Sequence, residues 1–200
     1  MLEEFRFLKA SFEGAMTWRD ERFKNFINII FGTAALLAVI AQLSKTKAEL
    51  HYSIIIISII LFLYGLFVFS RLVAGSFSIR KYRRAINKVR KYFVDMDIDL
   101  EEYLVIPVNA QKKTPSKVRL GSGLIGTTAF TNSLLLSVFG IAAMMQMLNW
   151  QVLLSALIGL VLAVLSWFFH TIYYGIQVKR QTKKNKEKNR KFVSVLKYSP

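Results

Sequence analysis

The feature that most constrains this chain is a stretch without Asp, Glu, Lys or Arg that covers residues 120–178. Two shorter charge-free stretches precede it, at residues 25–44 and 52–70. A soluble domain of 200 residues has no core large enough to bury so many consecutive apolar side chains. An apolar stretch of about 20 residues is instead the length that crosses a bilayer as a helix. The sequence therefore predicts an integral membrane protein and excludes an ordinary soluble enzyme.

These stretches predict four spans in two hairpins. The first two spans cover about residues 26–43 and 52–70. The long stretch that follows exceeds one span, and Asn149 and Trp150 near its middle predict a tight turn. We therefore place the third span at about 129–148 and the fourth at about 151–174. The predicted fold class is an all-α integral membrane protein with helical extensions on the cytoplasmic side.

Basic residues set the predicted orientation. The N-terminal segment has five Lys and Arg residues, the 71–119 loop has twelve and the C-terminal tail has nine. The loop between the first two spans has two, and the turn between the last two has none. The positive-inside rule then places both termini and the middle loop in the cytoplasm. The predicted regions are a cytoplasmic amphipathic helix at 1–24, a first hairpin at 25–70, a cytoplasmic basic helix with a small loop region at 71–128, a second hairpin at 129–175 and a basic tail at 176–200.

An apolar repeat marks the segment after the second span. Between residues 72 and 96, apolar side chains recur every seven residues in two series that are offset by three. This pattern is typical of the a and d positions of a helical seam over about three heptads. The second span is therefore predicted to continue as a long helix, and its seam packs either within one subunit or between subunits. The residues assigned to the seam are Ile79, Tyr82, Ile86, Val89 and Phe93.

Basic side chains cover the other faces of this helix and most of the C-terminal tail. Bases just outside a span suit anionic lipid headgroups, at about 1 kcal/mol each. An acidic protein, or nucleic acid bound without sequence specificity, is the alternative partner. The predicted basic docking surface consists of Arg80, Lys81, Arg83, Arg84, Lys88, Arg90, Lys91, Lys179, Arg180, Lys183, Lys184, Lys186, Lys188, Arg190 and Lys191.

The N-terminal segment has an apolar helix face that includes Phe5, Leu8, Phe12 and Phe23. Such a helix lies on the membrane surface or continues the first span into the cytoplasm. Its five acids balance its five bases, which weakens attraction to lipid. Docking on the protein's own cytoplasmic segments, or on a neighbouring subunit, is the favoured interpretation.

The predicted spans hold polar and small residues but no acid or base apart from His170. Transporters usually carry ionisable groups inside their spans, so this composition argues against transport. A bundle of four helices leaves no room for an internal channel, and conduction would need several subunits. Candidates for lining such a pore are Asn28, Asn132 and Gln146, and candidates for close helix packing are Gly32, Gly140, Ser155, Gly159 and Ala163.

No recognisable catalytic or cofactor motif is present in the sequence. The chain has no cysteine and two histidines, and it lacks HExxH, GxSxG and Walker sequences. The glycines at 121–126 match GxGxxG, but no strand precedes them and no ribose-binding acid follows in context. We therefore expect no enzymatic activity, no metal and no cofactor.

Residues 78–107 read SIRKYRRAINKVRKYFVDMDIDLEEYLVIP. This run resembles a segment of small bacterial membrane proteins in which a basic, tyrosine-containing helix leads to an acidic stretch and a proline. The layout of the chain is similar to membrane components of bacterial anti-phage systems, namely SLATT-type effectors and the four-span membrane subunit of the Kiwa system. SLATT effectors typically have two spans, and the second hairpin departs from them. The resemblance implies a bacterial inner-membrane protein and carries no functional residue over.

Together these features predict a non-enzymatic, homo-oligomeric protein of the bacterial inner (plasma) membrane. It would act as a membrane effector, or as a sensor or anchor subunit, in a defence or stress system. The alternative is an oligomeric pore that disrupts the membrane potential, and a small-solute transporter is less favoured. The expected partners are anionic lipid headgroups, further copies of the chain, a soluble cytoplasmic protein and nucleic acid bound only non-specifically.

Overall fold

A computed structural model describes residues 2–44, 46–96, 123–147 and 151–197, with side chains described for 3–44, 46–96, 123–146 and 151–184. All of the regular structure in these residues is helical, which confirms the predicted all-α fold. The helices are α1 (Leu2–Leu43), α2 (Lys47–Met96), α3 (Gly123–Met147) and α4 (Val152–Lys197).

Each of the four helices contains a stretch that is long and apolar enough to cross a membrane. Three of them are far longer than a span requires. At 1.5 Å per residue the 50 residues of α2 cover about 75 Å, whereas the hydrocarbon core of a bilayer is about 30 Å thick. Only α3, with 25 residues, has a length close to that of a single span. The fold is therefore compatible with a four-span protein in which α1, α2 and α4 project beyond the bilayer.

Sequence neighbours make the main contacts between helices. α1 packs on α2, α2 on α3 and α3 on α4, while the other pairs touch only marginally. α1 and α4 thus lie at the two ends of a row and leave most of their apolar surface uncovered. Only 6% of the most apolar stretch of α1 is buried, against 33% for α3. In a bilayer, lipid tails would cover these outer faces without a cost in free energy, because the tails are as apolar as the side chains.

Two apolar clusters hold the row together at one level. Phe26 of α1 is fully buried against Val68 and Leu72 of α2. On the other side of α2, Phe69 packs with Ala129 of α3 and with α4. Both clusters lie at the ends of the predicted spans that face the side of the two chain termini. They therefore fix the position from which α1, α2 and α4 extend beyond the spans.

Small residues allow α3 and α4 to approach closely, as the sequence pattern suggests. A side chain added at Gly140 would collide with Leu162, and one added at Gly159 would meet Ile141. Ser155 is fully buried at the same interface. Gly32 differs, because nothing lies within 4 Å of the position that its side chain would take. Of these positions, Gly32 is the one that offers a small surface to a neighbour outside the subunit.

Local signals explain where two of the helices begin. Thr46 and Glu49 form the T-x-x-E pattern of a capping box, and the Glu49 backbone N–H donates to Thr46 Oγ1 over 3.3 Å. α3 begins at Gly123, whose φ of 76° lies in the left-handed region that favours glycine. The helix therefore starts six residues before the third span predicted at 129, because the uncharged 123–128 segment simply continues it.

Candidate functional site: a basic extension and a buried polar cluster

The candidate docking site is the part of the molecule beyond the predicted spans on the side of both termini. We call it the basic extension, and it consists of residues 2–24 of α1, 71–96 of α2 and 176–197 of α4. α3 starts at Gly123 and adds no comparable length to it. Residues 97–122, which contain most of the predicted loop region, lie outside the described residues.

Within the basic extension, α1 lies antiparallel along α2. The Trp18 ring faces Gly75, where an added Cβ would be 3.3 Å from Trp18 Cζ3. Further out, the Arg83 guanidinium lies 5.8 Å from the centre of the Phe12 ring. The N-terminal segment therefore docks on its own chain, which is one of the two arrangements that its apolar face predicts.

The heptad seam of α2 is covered unevenly. Ile79 is only 5% exposed within the single chain, so residues of the same subunit already cover it. Ile86 and Phe93, one and two heptads further on, are half-buried. Tyr82 and Val89 of the second series are half-buried as well. The inner part of the seam thus packs inside the subunit, and its outer part retains exposed area.

Three of the predicted docking residues are engaged within the subunit. Arg80 donates to the hydroxyl of Tyr174 over 3.3 Å and thereby links α2 to α4. Arg83 stacks over Phe12 as described, and Arg90 is half-buried and makes an interaction of its own. These arginines therefore contribute to the packing of the basic extension.

Four other bases on α2 are exposed and share one side of the helix. They lie at spacings of three, four and three residues, which keeps successive side chains on one face. We call this set the α2 basic stripe; its members are Lys81, Arg84, Lys88 and Lys91.

Few carboxylates compensate this charge. Within the described part of the chain the ion pairs are Lys9 with Glu13, at 3.9 Å, and Arg19 with Asp20, at 2.8 Å. Both pairs lie on α1, and none involves the α2 basic stripe. The whole chain carries a formal net charge of +16. Asp95, which is exposed one turn beyond Lys91, offsets one of the four charges. The stripe therefore keeps a net positive charge among the described residues.

α4 adds a second exposed basic group. Its inward face packs Tyr174 and Val178 against the α2 cluster. The exposed bases that follow are Lys179, Arg180, Lys183 and Lys184. The helix continues through Lys186, Lys188, Arg190 and Lys191, whose side chains lie outside the described residues.

A cluster of polar side chains is buried between α3 and α4. His170 and Asn132 are both fully buried, and Asn132 Nδ2 lies 3.2 Å from His170 Nε2. His170 Nδ1 lies 2.7 Å from the carbonyl oxygen of Ser166. Since that oxygen can only accept, Nδ1 carries the proton and Nε2 accepts from Asn132. The Ser133 hydroxyl lies 3.2 Å from that of Ser166 and completes the cluster.

This cluster also depends on α2. Gly65 lies against the amide of Asn132, and an added Cβ would overlap Asn132 Oδ1 and lie 2.8 Å from Asn132 Cγ. The ring of Phe69 meets His170 edge-on, with centroids 4.6 Å apart. Asn132 Oδ1 is buried without a hydrogen-bond partner among the described residues. Gly65 therefore provides the space that lets Asn132 reach His170.

The three residues that the sequence suggested for a pore lie apart in the subunit. Asn132 is inside the cluster just described, and Asn28 is exposed on α1. Gln146 Oε1 lies 3.2 Å from His51 Nδ1. Asn132 and Gln146 are 14 residues apart on α3, which corresponds to about 21 Å along its axis. A single subunit therefore brings none of these three amides together.

A family-model scan, a search of curated proteins and a search of solved structures each found no match to this chain. The resemblance to SLATT-type and Kiwa membrane proteins therefore stays a prediction.

Proposed function

We propose that this protein is a non-enzymatic membrane anchor that recruits a soluble acidic partner to the cytoplasmic face of a bacterial inner membrane. The observation that carries this proposal is the continuity of α2. One helix of 50 residues connects an apolar stretch to an exposed row of four bases. A partner held on that row is coupled to the membrane through a single rigid element.

The packing of α1 along α2 supports this role. Trp18 and Phe12 contact the α2 extension at two levels, and Arg80 ties it to Tyr174 of α4. A single isolated helix that projects into water is marginally stable, whereas packed helices hold a fixed surface. The extension thus presents its bases in a defined arrangement.

In the wider setting, we place this anchor in a bacterial defence or stress system, as an effector or sensor subunit. The support is the layout of the chain and its resemblance to anti-phage membrane proteins. The chemistry of such a system then belongs to the recruited protein.

Affinity purification from native membranes in a mild detergent tests the proposal. A tagged wild-type chain should retain a soluble protein in a fixed stoichiometry, measured by mass spectrometry and particle mass. A matched purification with a chain that lacks residues 1–24 should retain less, because α2 loses its supporting helix. Recovery of the chain without any enriched soluble protein would contradict the proposal.

Self-association is the second part of the proposal. Gly32 and Ala35 are exposed on the α1 span, and no side chain covers Gly32. Small residues on an exposed helix face allow a second copy to approach closely. Gly32→Leu should therefore lower the oligomer mass without affecting the fold, while Gly14→Leu, equally open but outside the span, should not. Equal masses for the wild type and Gly32→Leu would exclude this contact.

Asn28 favours an oligomeric pore as the alternative function. Its side chain is exposed at the start of the first span, and it has no hydrogen-bond partner among the described residues. If α1 lined a pore, Asn28→Leu would change single-channel conductance in reconstituted bilayers. Bilayers that stay silent at every protein density would exclude the pore.

A further inference from the structure

The α2 basic stripe has a spacing that is defined by helix geometry. Lys81, Arg84, Lys88 and Lys91 are separated by about 4.5, 6 and 4.5 Å along the axis, given a rise of 1.5 Å per residue. All four side chains are exposed. The stripe is thus a single row of cations about 14 Å long.

Lipid headgroups do not explain this row. The second predicted span ends near residue 70, and α2 continues without interruption to Met96. Lys81 and Lys91 then lie about 16 and 31 Å beyond the end of the span along the helix axis. Electrostatic attraction between exposed charges is screened over about 8 Å at physiological salt. The outer part of the stripe is therefore beyond screened headgroup attraction and is accessible to a partner from solution.

Apolar side chains continue the stripe at its outer end. Tyr92 is 47% exposed and Met96 is 69% exposed, one and two turns beyond Lys88. A surface that combines a row of bases with exposed aromatic and thioether groups suits a partner with both acidic and apolar side chains.

The charge density of the stripe favours a protein helix over nucleic acid. Carboxylates placed at i, i+3, i+7 and i+10 of a second helix have the same axial spacing as the four bases. Each strand of a nucleic acid duplex instead carries one charge per about 3.4 Å, which is closer than the spacing of the four bases. It also presents no aliphatic side chains to Tyr92 and Met96.

We propose that the α2 basic stripe, together with Tyr92 and Met96, is the docking site for an acidic amphipathic helix of a soluble protein. This inference rests on the proposed anchoring function and specifies its partner. The carboxylates of the incoming helix contact the four bases, and its apolar residues contact Tyr92 and Met96.

The test uses the full-length protein in nanodiscs of zwitterionic phosphatidylcholine, which removes anionic lipid. The probe is a fluorescent helical peptide with glutamates at i, i+3, i+7 and i+10 and leucines beside them. A second peptide has the same composition but places its glutamates around the whole helix. A single-stranded RNA of equal net charge is the third probe, and fluorescence anisotropy measures the dissociation constants. The patterned peptide should bind at least about 10-fold more tightly than either of the others.

Two matched variants localise the binding. One carries Lys81→Gln, Arg84→Gln, Lys88→Gln and Lys91→Gln, and the other carries Lys179→Gln, Arg180→Gln, Lys183→Gln and Lys184→Gln. Each variant removes four exposed positive charges. The first should weaken binding of the patterned peptide by about 10- to 100-fold, since each exposed ion pair contributes modestly. The second should change it by less than about 3-fold, because only long-range attraction is lost.

Three results of the binding assay would overturn the inference. They are equal binding of the two peptides, tighter binding of the RNA, and equal losses in the two variants. A soluble partner that copurifies with the stripe variant would refute the inference and leave the anchoring function intact. Binding of the patterned peptide without any copurified protein would refute the anchoring function but not the specificity of the α2 basic stripe.

Discussion

Gly65→Ala tests the account of the buried polar cluster with a single methyl group. The new Cβ would overlap Asn132 Oδ1, lie 2.8 Å from Asn132 Cγ and lie 3.3 Å from Phe26 Cε2. Both neighbours are fully buried, so neither has free space into which it can move. Asn132 would have to shift away from α2, and its 3.2 Å contact with His170 would break.

The cost of this substitution has two parts. Overpacking in a tightly packed interior typically costs about 1–3 kcal/mol. A hydrogen bond between membrane helices contributes about 0.6 kcal/mol on average, with a maximum near 1.7 kcal/mol. Alanine favours a helix by about 1 kcal/mol over glycine, which offsets part of this cost. Gly65→Ala should therefore destabilise the protein by about 1–4 kcal/mol.

Thermal unfolding in detergent, followed by circular dichroism, measures the effect. A loss of this size lowers the midpoint Tm by about 2–16 °C in a chain of this length. Gly175→Ala is the matched control, because Gly175 lies at the end of the second predicted hairpin and nothing lies within 4 Å of an added Cβ. The double variant Gly65→Ala, Asn132→Ala should recover part of the loss, since it removes the overlapping amide. If Gly65→Ala unfolds at the same temperature as Gly175→Ala, the proposed contact between α2 and Asn132 is wrong.

Three further predictions follow from the contacts between the helices. Ile79 is only 5% exposed, so Ile79→Asp should destabilise the single subunit by about 3 kcal/mol or more. Lys81 is exposed, so Lys81→Asp should change the free energy of unfolding by no more than about 1 kcal/mol in the same unfolding assay. Tyr174→Phe removes the acceptor for Arg80 and should raise amide hydrogen exchange near residue 80, an effect that Tyr173→Phe should lack. Gly159→Leu should disrupt the α3–α4 packing and lower folded yield in detergent, while Gly32→Leu should not; equal yields would show that Gly159 is not at a close helix contact.

The sequence alone predicted the long helices because their signals are local. Charge-free stretches mark the apolar parts of all four helices, and the heptad repeat after residue 70 marks the continuation of α2. A regular pattern of this kind repeats over many residues, so one residue that departs from it does not remove the signal. The bounds were predicted less accurately. α3 begins at Gly123 rather than at 129, because the positive φ that marks its start is a property of the folded backbone and not of the sequence pattern.

The contacts between helices could not be predicted in the same way. His170 and Asn132 are visible in the sequence as isolated polar residues in apolar stretches. Their pairing depends on the rotation of α3 against α4, which no single helix determines. The same holds for the bases of α2, where Arg80 contacts Tyr174 while Lys81 is exposed. Helical periodicity places side chains on faces, but only packing decides which face meets a neighbour.

Photo-crosslinking in intact cells tests the central claim most directly. Tyr92 is 47% exposed beside the α2 basic stripe and is replaced by p-benzoylphenylalanine. As a control, the same amino acid replaces Phe168, which is 58% exposed on the predicted fourth span. Mass spectrometry of the products identifies what lies at each position. We expect position 92 to crosslink to one soluble protein through an acidic helix. Position 168 should crosslink to lipid or to a second copy of the chain. Crosslinks from position 92 to lipid alone would contradict the central claim.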